Sequence, residues 1–252
     1  MKVKLSAVII TFNEEKNIRR CVESLKGIVD EIVVVDSFSK DKTKDICAEY
    51  DLTFIEHAFE GHIEQKNWAK AQAKYDYVLS LDADEALDDT LKGSVLAAKN
   101  NWQADVYRMN RLTNYCGKWI HHSGWYPDTK MRLFDRRLGD WGGDNPHDKF
   151  IPTERAKVGY LKGDLLHYSF YTREDHLLQI EKFSTIGANA LYKKGVRSTI
   201  VKILIKPMAR FIKAYFVHKG FLDGKEGWTI SRLSAYANFL KYYKLYQLQK
   251  SK

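Results

Sequence analysis

The nine residues 77–85, Tyr-Val-Leu-Ser-Leu-Asp-Ala-Asp-Glu, join a short apolar run to two aspartates that flank one alanine. The run is typical of a buried strand, and it leads directly into Asp82 and Asp84. Residues i and i+2 of an extended backbone project to the same side, so both carboxylates can face one point. Mg²⁺ and Mn²⁺ prefer such oxygen ligands. The stretch predicts a divalent-cation site; solvated loop acids before a helix are the alternative.

Three further apolar runs precede this strand, at residues 5–10, 32–35 and 52–55, and amphipathic segments separate them. This alternation predicts βαβ units around a parallel sheet, with a helix near residues 63–73 before the fourth strand. In such sheets ligands bind outside the carboxyl ends of the strands. The first and second runs end in polar residues, which makes those residues candidates for a ligand site.

The second half of the chain follows another pattern. Short strands, such as 106–109 and 131–134, are predicted between loops rich in Gly, Trp, Tyr and His, and the region 174–252 is predicted to be helical. The most apolar stretch, 199–221, contains five Lys/Arg residues, which argues against a membrane span. Pro207 is expected to kink or divide the helix in which it lies.

The net charge of +9 is unevenly distributed. Residues 190–252 hold 14 Lys/Arg and 2 Asp/Glu, a net of +12, which leaves about −3 for residues 1–189. An acidic region that handles phosphates needs a metal ion to do so. The three cysteines are widely spaced and the first residues are too short an apolar run for a signal peptide, so a cytoplasmic location is expected.

Three ordered motifs carry a family resemblance. The chain resembles glycosyltransferase family 2 in Val-Ile-Ile-Thr-Phe-Asn-Glu-Glu (8–15), Glu-Ile-Val-Val-Val-Asp-Ser (31–37) and Leu-Ser-Leu-Asp-Ala-Asp-Glu (79–85). Within that family it is similar to bacterial lipopolysaccharide core β-1,4-glucosyltransferases, through residues 61–69, 147–148, 167–169 and 223–228. The resemblance implies an inverting, metal-dependent enzyme that transfers a hexose, glucose by expectation, from a UDP-sugar to a lipid-linked oligosaccharide.

The implied fold is the α/β GT-A fold of nucleotide-diphospho-sugar transferases, a mixed, mostly parallel sheet flanked by helices, with a C-terminal helical extension. The expected domains are a catalytic domain, 1–173, and a basic amphipathic helical region, 174–252. Within the catalytic domain, 1–103 is expected to bind the nucleotide sugar and 104–173 the acceptor.

The resemblance also assigns donor-side residues. Asp84 is the expected metal ligand on the diphosphate, with Mg²⁺ or Mn²⁺ as cofactor and His167 completing the metal shell; a structural histidine is the alternative. The nucleotide and sugar are expected to contact Thr11, Asn13, Glu14, Asp36, Lys66, Asn67 and Asp82. A turn-forming aspartate is the alternative for Asp36, and solvated helix residues are the alternative for Lys66 and Asn67.

An inverting transfer needs a carboxylate that removes the proton of the attacking hydroxyl. Asp148 is the predicted base, although the similar subgroup usually has Glu after His; turn capping is its alternative, and Asp144 and Asp128 compete for the role. The expected acceptor-binding residues are Trp119, Trp125, Tyr126 and Asp128. Part of this aromatic cluster could instead belong to the core.

The tail carries a basic helical stripe, Lys202, Lys206, Arg210 and Lys213, beside apolar residues. A basic amphipathic helix of this kind favours an anionic membrane surface, so a peripheral location on the inner face of the cell membrane is expected. Packing on the catalytic domain is the alternative for this helix. The stretch 230–248 could serve as membrane surface or dimer contact.

Three other functions are alternatives for a sequence of this kind. A membrane-surface or nucleic-acid-binding module with a degenerate nucleotide-sugar site would use the tail alone, but no nucleic-acid-binding motif is present. A nucleotidyltransferase would bring a Gly-rich basic loop after the first strand, where residues 11–15 are Thr-Phe-Asn-Glu-Glu. A dehydrogenase would bring a GxGxxG turn there.

Overall fold

The computed structural model describes residues 1–144 and 147–250, and for Asp144 and His147 it describes the backbone only. The described chain forms two compact units. The first comprises residues 1–111 and 128–168, and the second comprises residues 112–127 and 169–252.

Four parallel strands form one half of the sheet of the first unit, in the order β3-β2-β1-β4. They are β1 (Leu5–Thr11), β2 (Glu31–Asp36), β3 (Thr53–Glu56) and β4 (Tyr77–Asp82). The apolar runs of β1, β2 and β4 are largely buried on both faces, as expected for central strands covered by helices, whereas β3 lies at the edge of the sheet and has no fully buried residue. The four predicted strands are therefore present, each within about two residues of its predicted bounds.

The other half of the sheet is mainly antiparallel and continues the order as β8-β6-β11-β5. Its strands are β5 (Glu85–Leu87), β6 (Val106–Tyr115), β7 (Lys118–Ile120), β8 (Asp128–Asp135) and β11 (Val158–Phe170). A separate hairpin pairs β9 (Gly139–Asp144) with β10 (His147–Pro152). The two predicted strands, 106–109 and 131–134, lie within β6 and β8, but the expected short length was wrong for β6, with 10 residues, and for β11, with 13.

Four helices connect the strands of the first unit: α1 (Ile18–Ser24), α2 (Thr43–Cys47), α3 (His62–Gln72) and α4 (Asp89–Asn100). Two apolar clusters pack within this unit. One contains Leu5, Ile9, Leu79 and Leu91, and the other contains Val33, Val78, Phe134 and Trp141. Alternate side chains of β1 and β4 enter different clusters, so each cluster lies on its own face of the sheet.

The second unit contains β7, which pairs with the end of β6, and three helices: α5 (Arg173–Lys193), α6 (Ile200–Ile212) and α7 (Gly224–Lys250). Both α5 and α6 pack against α7. A small core joins Tyr115, Ile120, Phe170 and Ile230. Helix α6 runs continuously through Pro207, so the helix is not divided at that residue, and the kink expected as the other outcome stays a prediction.

The division between the two compact units differs from the boundary predicted at residue 173, because residues 112–127 belong to the second unit. An independent catalytic domain over 1–173 stays a prediction. No helix in residues 1–144 or 147–250 is long and apolar enough to cross a bilayer.

His176 gives the second unit a pH-dependent stability. Burial lowers the pKa of His176 to about 4, against 6.5 for an exposed histidine. Between these values the unfolded chain binds more protons than the native one, so stability falls as the pH falls, by up to about 3 kcal/mol at pH 4. Urea unfolding of wild type and His176→Gln from pH 7 to pH 4.5 checks this, since glutamine can still bond the Tyr115 hydroxyl that lies 3.2 Å from His176 Nδ1. Equal pH dependence in both proteins would contradict it.

Candidate active site

The predicted donor-side residues meet at the carboxyl edge of the parallel strands. In the strand register Thr11 lies opposite Asp36, and Ile10 lies opposite Asp82. The ends of β1, β2 and β4 therefore place these polar residues along one edge of the sheet. The donor-side residues and Asp148 all belong to the first unit.

Asp82 is held by two buried cations. Lys66 Nζ lies 2.9 Å from Asp82 Oδ1, and Arg132 Nη2 donates to Asp82 Oδ2 at 2.7 Å. Burial raises the pKa of Asp82, but the charges of Lys66 and Arg132 outweigh burial and hold that pKa well below its usual range. Asp82 is therefore a fixed carboxylate: its Oδ2 accepts hydrogen bonds from Lys66 and Arg132, whereas its buried Oδ1 has no hydrogen-bond partner among the described residues.

Arg132, Arg111 and Glu85 extend this network, and the sequence reasoning missed all three. Arg132 is 3% exposed and donates to Glu85 Oε1 at 2.8 Å as well as to Asp82. Glu85 is fully buried; Arg111 Nη1 lies 3.4 Å from its Oε1, and its Oε2 accepts the Asp82 N–H at 3.0 Å. The only sequence signal is that Glu85 continues the Asp-Ala-Asp motif.

Lys66 links Asp82 to the predicted base. Its ammonium lies 2.7 Å from Asp148 Oδ2 and 4.7 Å from the centre of the Trp141 ring. Lys66 is 2% exposed, so the alternative of a solvated helix residue is excluded for it. Trp141 is buried beside this cluster, and its Nε1 has no hydrogen-bond partner among the described residues. A buried indole N–H left in this way is available to a ligand.

Asp84 and His167 are brought together, as expected for ligands of one cation. His167 Nε2 lies 3.1 Å from Asp84 Oδ2, and the N–H of Tyr168 donates to the Asp84 carbonyl at 2.9 Å. Burial raises the pKa of Asp84, but the interaction with His167 lowers it by more than burial raises it. The pKa of Asp84 therefore lies below its usual value. Asp84 is thus ionised, and within residues 1–144 and 147–250 its ion pair is with His167 rather than with a lysine or arginine.

Glu14 reports a local excess of negative charge. Burial and the nearby charge of Asp84 raise the pKa of Glu14 to about 7, although Asn17 donates to the Glu14 carboxylate at 2.8 Å. A cation at Asp84 would offset this repulsion.

A divalent cation fits this arrangement. Asp84, in the turn between β4 and β5, supplies an oxygen and His167, in β11, a nitrogen, and the described residues hold no cluster of three or more His, Cys, Asp or Glu side chains suited to a metal. Mg²⁺ and Mn²⁺ are commonly held by one or two protein ligands, with substrate phosphates and water completing the shell. The chain would therefore hold the ion together with an anionic substrate.

The nucleobase candidates form the far end of the edge. Asp36 is buried and accepts hydrogen bonds from the Ser39 N–H and hydroxyl, which is the turn geometry named as its alternative. Asn13 accepts the Lys40 N–H at 2.8 Å. Thr11 Oγ1 is buried without a hydrogen-bond partner in the described part of the chain.

Two exposed aromatic residues at this end were missed. Phe12 directly follows β1, and Phe38 lies two residues after the end of β2. Each of the two side chains is 54% exposed. Exposed phenylalanines at a strand edge are suited to stacking on a planar ligand. Their signal in the sequence is only their position next to Thr11 and Asp36.

Asn67 fixes the hairpin to α3. Its amide donates to the Trp141 carbonyl at 2.9 Å and its oxygen accepts the Trp141 N–H at 2.9 Å. The side chain is thus engaged by the backbone rather than solvated. Its direct contact with a nucleotide sugar stays a prediction, and its observed role is to position Trp141.

The competing base Asp128 is bound by cations. Arg111 Nη2 donates to it at 2.7 Å and Lys130 lies 3.0 Å away. Burial raises the pKa of Asp128, but these cations hold it below its usual value, which weakens it as a base. The side chain of Asp144 lies outside the described residues.

The predicted acceptor aromatics belong to the second unit. Trp125 is partly buried against Tyr115 and Phe170, so it contributes to the small core named as the alternative. Trp119 lies in β7, opposite Asn114, and Tyr126 makes an edge contact with His121. Acceptor binding by these three residues stays a prediction.

Comparisons with known proteins identify the family of the chain. The model of glycosyl transferase family 2 matches residues 6–200. The chain is 30% identical to the lipopolysaccharide core biosynthesis glycosyltransferase LpsC of Rhizobium meliloti, over 98% of this chain and 93% of the relative. It is 29% identical to an uncharacterised glycosyltransferase of Rickettsia typhi, over 97% and 87% of the two chains.

Two solved structures are similar at low identity. TarS 1–349 of S. aureus in complex with UDP-GlcNAc matches with a TM-score of 0.48 and 16% identity, over 98% of this chain and 92% of that one. Glucosyl-3-phosphoglycerate synthase of Mycobacterium tuberculosis matches with a TM-score of 0.49 and 16% identity, over 78% and 82%.

The family match covers most of the chain, and the relatives are matched over most of their length. The chain belongs to glycosyltransferase family 2. The predicted α/β GT-A class, with a mixed sheet flanked by helices and a C-terminal helical extension, is confirmed.

The buried network predicts a large stability effect at Arg132. Arg132→Met removes the guanidinium that donates to the fully buried Glu85 at 2.8 Å and leaves Asp82 with Lys66 alone of its two close cations, so we expect a loss of about 3–5 kcal/mol in the free energy of unfolding. Arg137→Met is the matched control, since Arg137 is 57% exposed in its pair with Asp135, and it should change stability by at most about 1 kcal/mol. Urea unfolding measures both; equal small losses would show that the cluster contributes little.

Proposed function

We propose that this chain is an inverting glycosyltransferase that transfers a hexose, glucose as the first choice, from a UDP-sugar to a lipid-linked saccharide. The observation that carries the proposal is the pairing of Asp84 with His167 at 3.1 Å beside the Lys66 bridge between Asp82 and Asp148. These groups combine a metal-ligand pair, a fixed carboxylate and a candidate base at one sheet edge. An intact set of this kind disfavours a degenerate nucleotide-sugar site.

The donor would lie along the carboxyl edge of the parallel strands. The uracil ring would stack near Phe12 or Phe38, where Thr11 Oγ1 and Asp36 offer polar groups to its edge. Asn13 and Glu14 would flank the ribose and diphosphate, while Asp82 would bind ribose or sugar hydroxyls. Trp141 Nε1–H and the Lys66 ammonium, which lies over the Trp141 ring, would be buried hydrogen-bond donors to the sugar.

Asp84 and His167 would hold the divalent cation, Mg²⁺ or Mn²⁺, against the donor diphosphate. When bound, the ion supplies a positive charge that stabilises the negative charge developing on the departing UDP. A cation here would also offset the repulsion between Asp84 and Glu14, whose pKa burial and the charge of Asp84 together raise to about 7. Metal choice between Mg²⁺ and Mn²⁺ is open to direct assay.

Asp148 is the proposed base. The acceptor hydroxyl would attack the anomeric carbon while Asp148 takes its proton; the new C–O bond forms as the bond to UDP breaks, and UDP leaves with the electron pair. Attack from the face opposite the leaving group inverts the anomeric configuration. Lys66 contacts Asp148 at 2.7 Å, so an incoming sugar that engages Lys66 would change the surroundings of the base.

The lipid-linked acceptor is supported by two facts. One relative, at 30% identity, is a lipopolysaccharide core biosynthesis glycosyltransferase. The other is the net charge of +12 in residues 190–252, which suits an anionic membrane. We therefore place the enzyme on the cytoplasmic face of the cell membrane as a peripheral protein, with Trp119, Trp125, Tyr126 and Asp128 as proposed acceptor contacts.

Removal of the metal ligand tests the donor side. Asp84→Asn should lower transfer from UDP-glucose in the presence of Mn²⁺ by at least about 100-fold, because the ion contributes several kcal/mol to the stabilisation of the transition state. Asp89→Asn, a change at a side chain that is 97% exposed on α4, is the matched control and should leave transfer unchanged. Normal turnover of Asp84→Asn, measured as UDP release in the presence of acceptor, would reject the metal-centred proposal.

The base is tested by Asp148→Asn. This change should lower kcat by about 10²–10⁴-fold while donor binding, measured by calorimetry with UDP and Mn²⁺, is retained. Asp128→Asn is the comparison, since Asp128 is the competing carboxylate. If Asp128→Asn lost more kcat than Asp148→Asn, the base would have to be reassigned to Asp128.

A further inference from the structure

Helix α6 exposes a row of large apolar side chains. Val201, Leu204, Ile205, Met208, Ile212 and Phe216 are each at least half exposed, and Met208 reaches 64%. We call these six residues the α6 apolar face. Apart from the adjacent Leu204 and Ile205, they follow one another at spacings of three and four residues, which places them on one side of the helix and of the π-helical turn (Lys213–Val217) that follows it. An apolar strip of this size on a surface marks a binding site.

The face is exposed although the helix is firmly packed. Ile203 and Ala214, on the other side of the same segment, are buried, and α6 packs against α7. One side of α6 is therefore already buried within the second unit. The apolar face remains as a second apolar surface that this unit does not cover.

The charges around this face have one sign. Residues 182–222 contain nine Lys/Arg and no Asp or Glu. Lys206 and Arg210 lie close enough to Lys241 of α7 that burial and their charges together lower the pKa of Lys241. Cations crowded in this way favour a partner that brings negative charge.

Aromatic residues border the face. Phe211 and Tyr215 contact Phe216, and Trp228 packs edge-on against Phe211 and Tyr215 while remaining 44% exposed. Tryptophan and tyrosine are enriched at the level of lipid headgroups, because each combines an apolar ring with a polar group.

We infer that the α6 apolar face inserts into the surface of an anionic lipid bilayer, with α6 lying in the interface and its lysines at the headgroups. Nucleic acid matches the cations but offers no apolar phase to six exposed hydrophobic side chains. A second copy of the chain would cover the apolar face, but it would bring the same acid-free segment 182–222 against itself. An anionic bilayer supplies both the apolar phase and the opposite charge.

This inference deepens the proposed function by naming the surface through which the enzyme reaches a lipid-linked acceptor. Binding to vesicles requires neither donor nor transfer, so it can succeed or fail independently of the glycosyltransferase assay. The proposed function, in turn, can be tested with a soluble acceptor in the absence of vesicles.

Vesicle co-sedimentation with the full chain tests the inference. Wild type should bind vesicles of phosphatidylglycerol and phosphatidylethanolamine. Met208→Glu should lower the protein's vesicle–water partition coefficient by at least about tenfold, because a charge replaces an apolar side chain that would be buried in the bilayer. Leu178→Glu is the matched control, since Leu178 is 71% exposed on α5 and lies outside the α6 apolar face. It should bind like wild type, and thermal unfolding should show all three proteins equally folded.

Several outcomes would overturn the inference. They are failure of wild type to bind the anionic vesicles, unchanged binding of Met208→Glu, and an equal loss of binding in Leu178→Glu. Equal binding to neutral phosphatidylcholine vesicles would remove the role of the lysines. If wild type sedimented as a dimer that Met208→Glu dissociated, with no vesicle binding by either, the face would be a contact between copies instead.

Discussion

The buried guanidinium of Arg132 is the constraint on which the candidate site depends. A charge taken out of water is costly unless opposite charges and hydrogen bonds surround it. Arg132 meets this requirement through Asp82 and Glu85, which lie at the end of β4 and in β5, while Arg132 itself lies in β8. The antiparallel strand that follows β4 in the sheet thus has to present its arginine to the acidic motif. The parallel and antiparallel halves of the sheet meet at this ion pair.

The same ion pair separates the two aspartates of the motif. Asp82 is paired with Lys66 and Arg132, whereas the ion pair of Asp84 among the described residues is with His167. The two carboxylates, separated by one residue, therefore have different electrostatic surroundings. Protein cations fix the first aspartate in place, and the second is left for a cation that arrives with substrate. A motif of two equivalent ligands would not produce this division.

Much of this arrangement was predictable from local patterns, and the missing part was not. The strand ends located Asp36, Asp82 and Asp84, because apolar runs that stop at polar residues mark the edge of a parallel sheet. Arg132 lies in the sequence Lys-Met-Arg-Leu-Phe, where alternation gives no sign that a charged residue faces inward. Lys66 is equally hidden among the polar residues of α3. The partners of both are 16 to 82 residues away, so only the tertiary fold reveals their burial.

The C-terminal helices show the same limit in another form. The basic stripe of α6 was predictable from the spacing of its lysines and arginine. The burial of its apolar residues was not: the neighbours Ile203 and Leu204 are similarly apolar, yet Ile203 is 8% exposed and Leu204 is 60% exposed. Periodicity finds an apolar helix and does not say how many of its sides are covered. Helix α7 covers one side, and the pattern of residues 199–217 contains more apolar side chains than one packing surface can bury. The excess, next to a segment without acids, is what distinguishes a helix that packs and also binds a lipid surface from one that only packs.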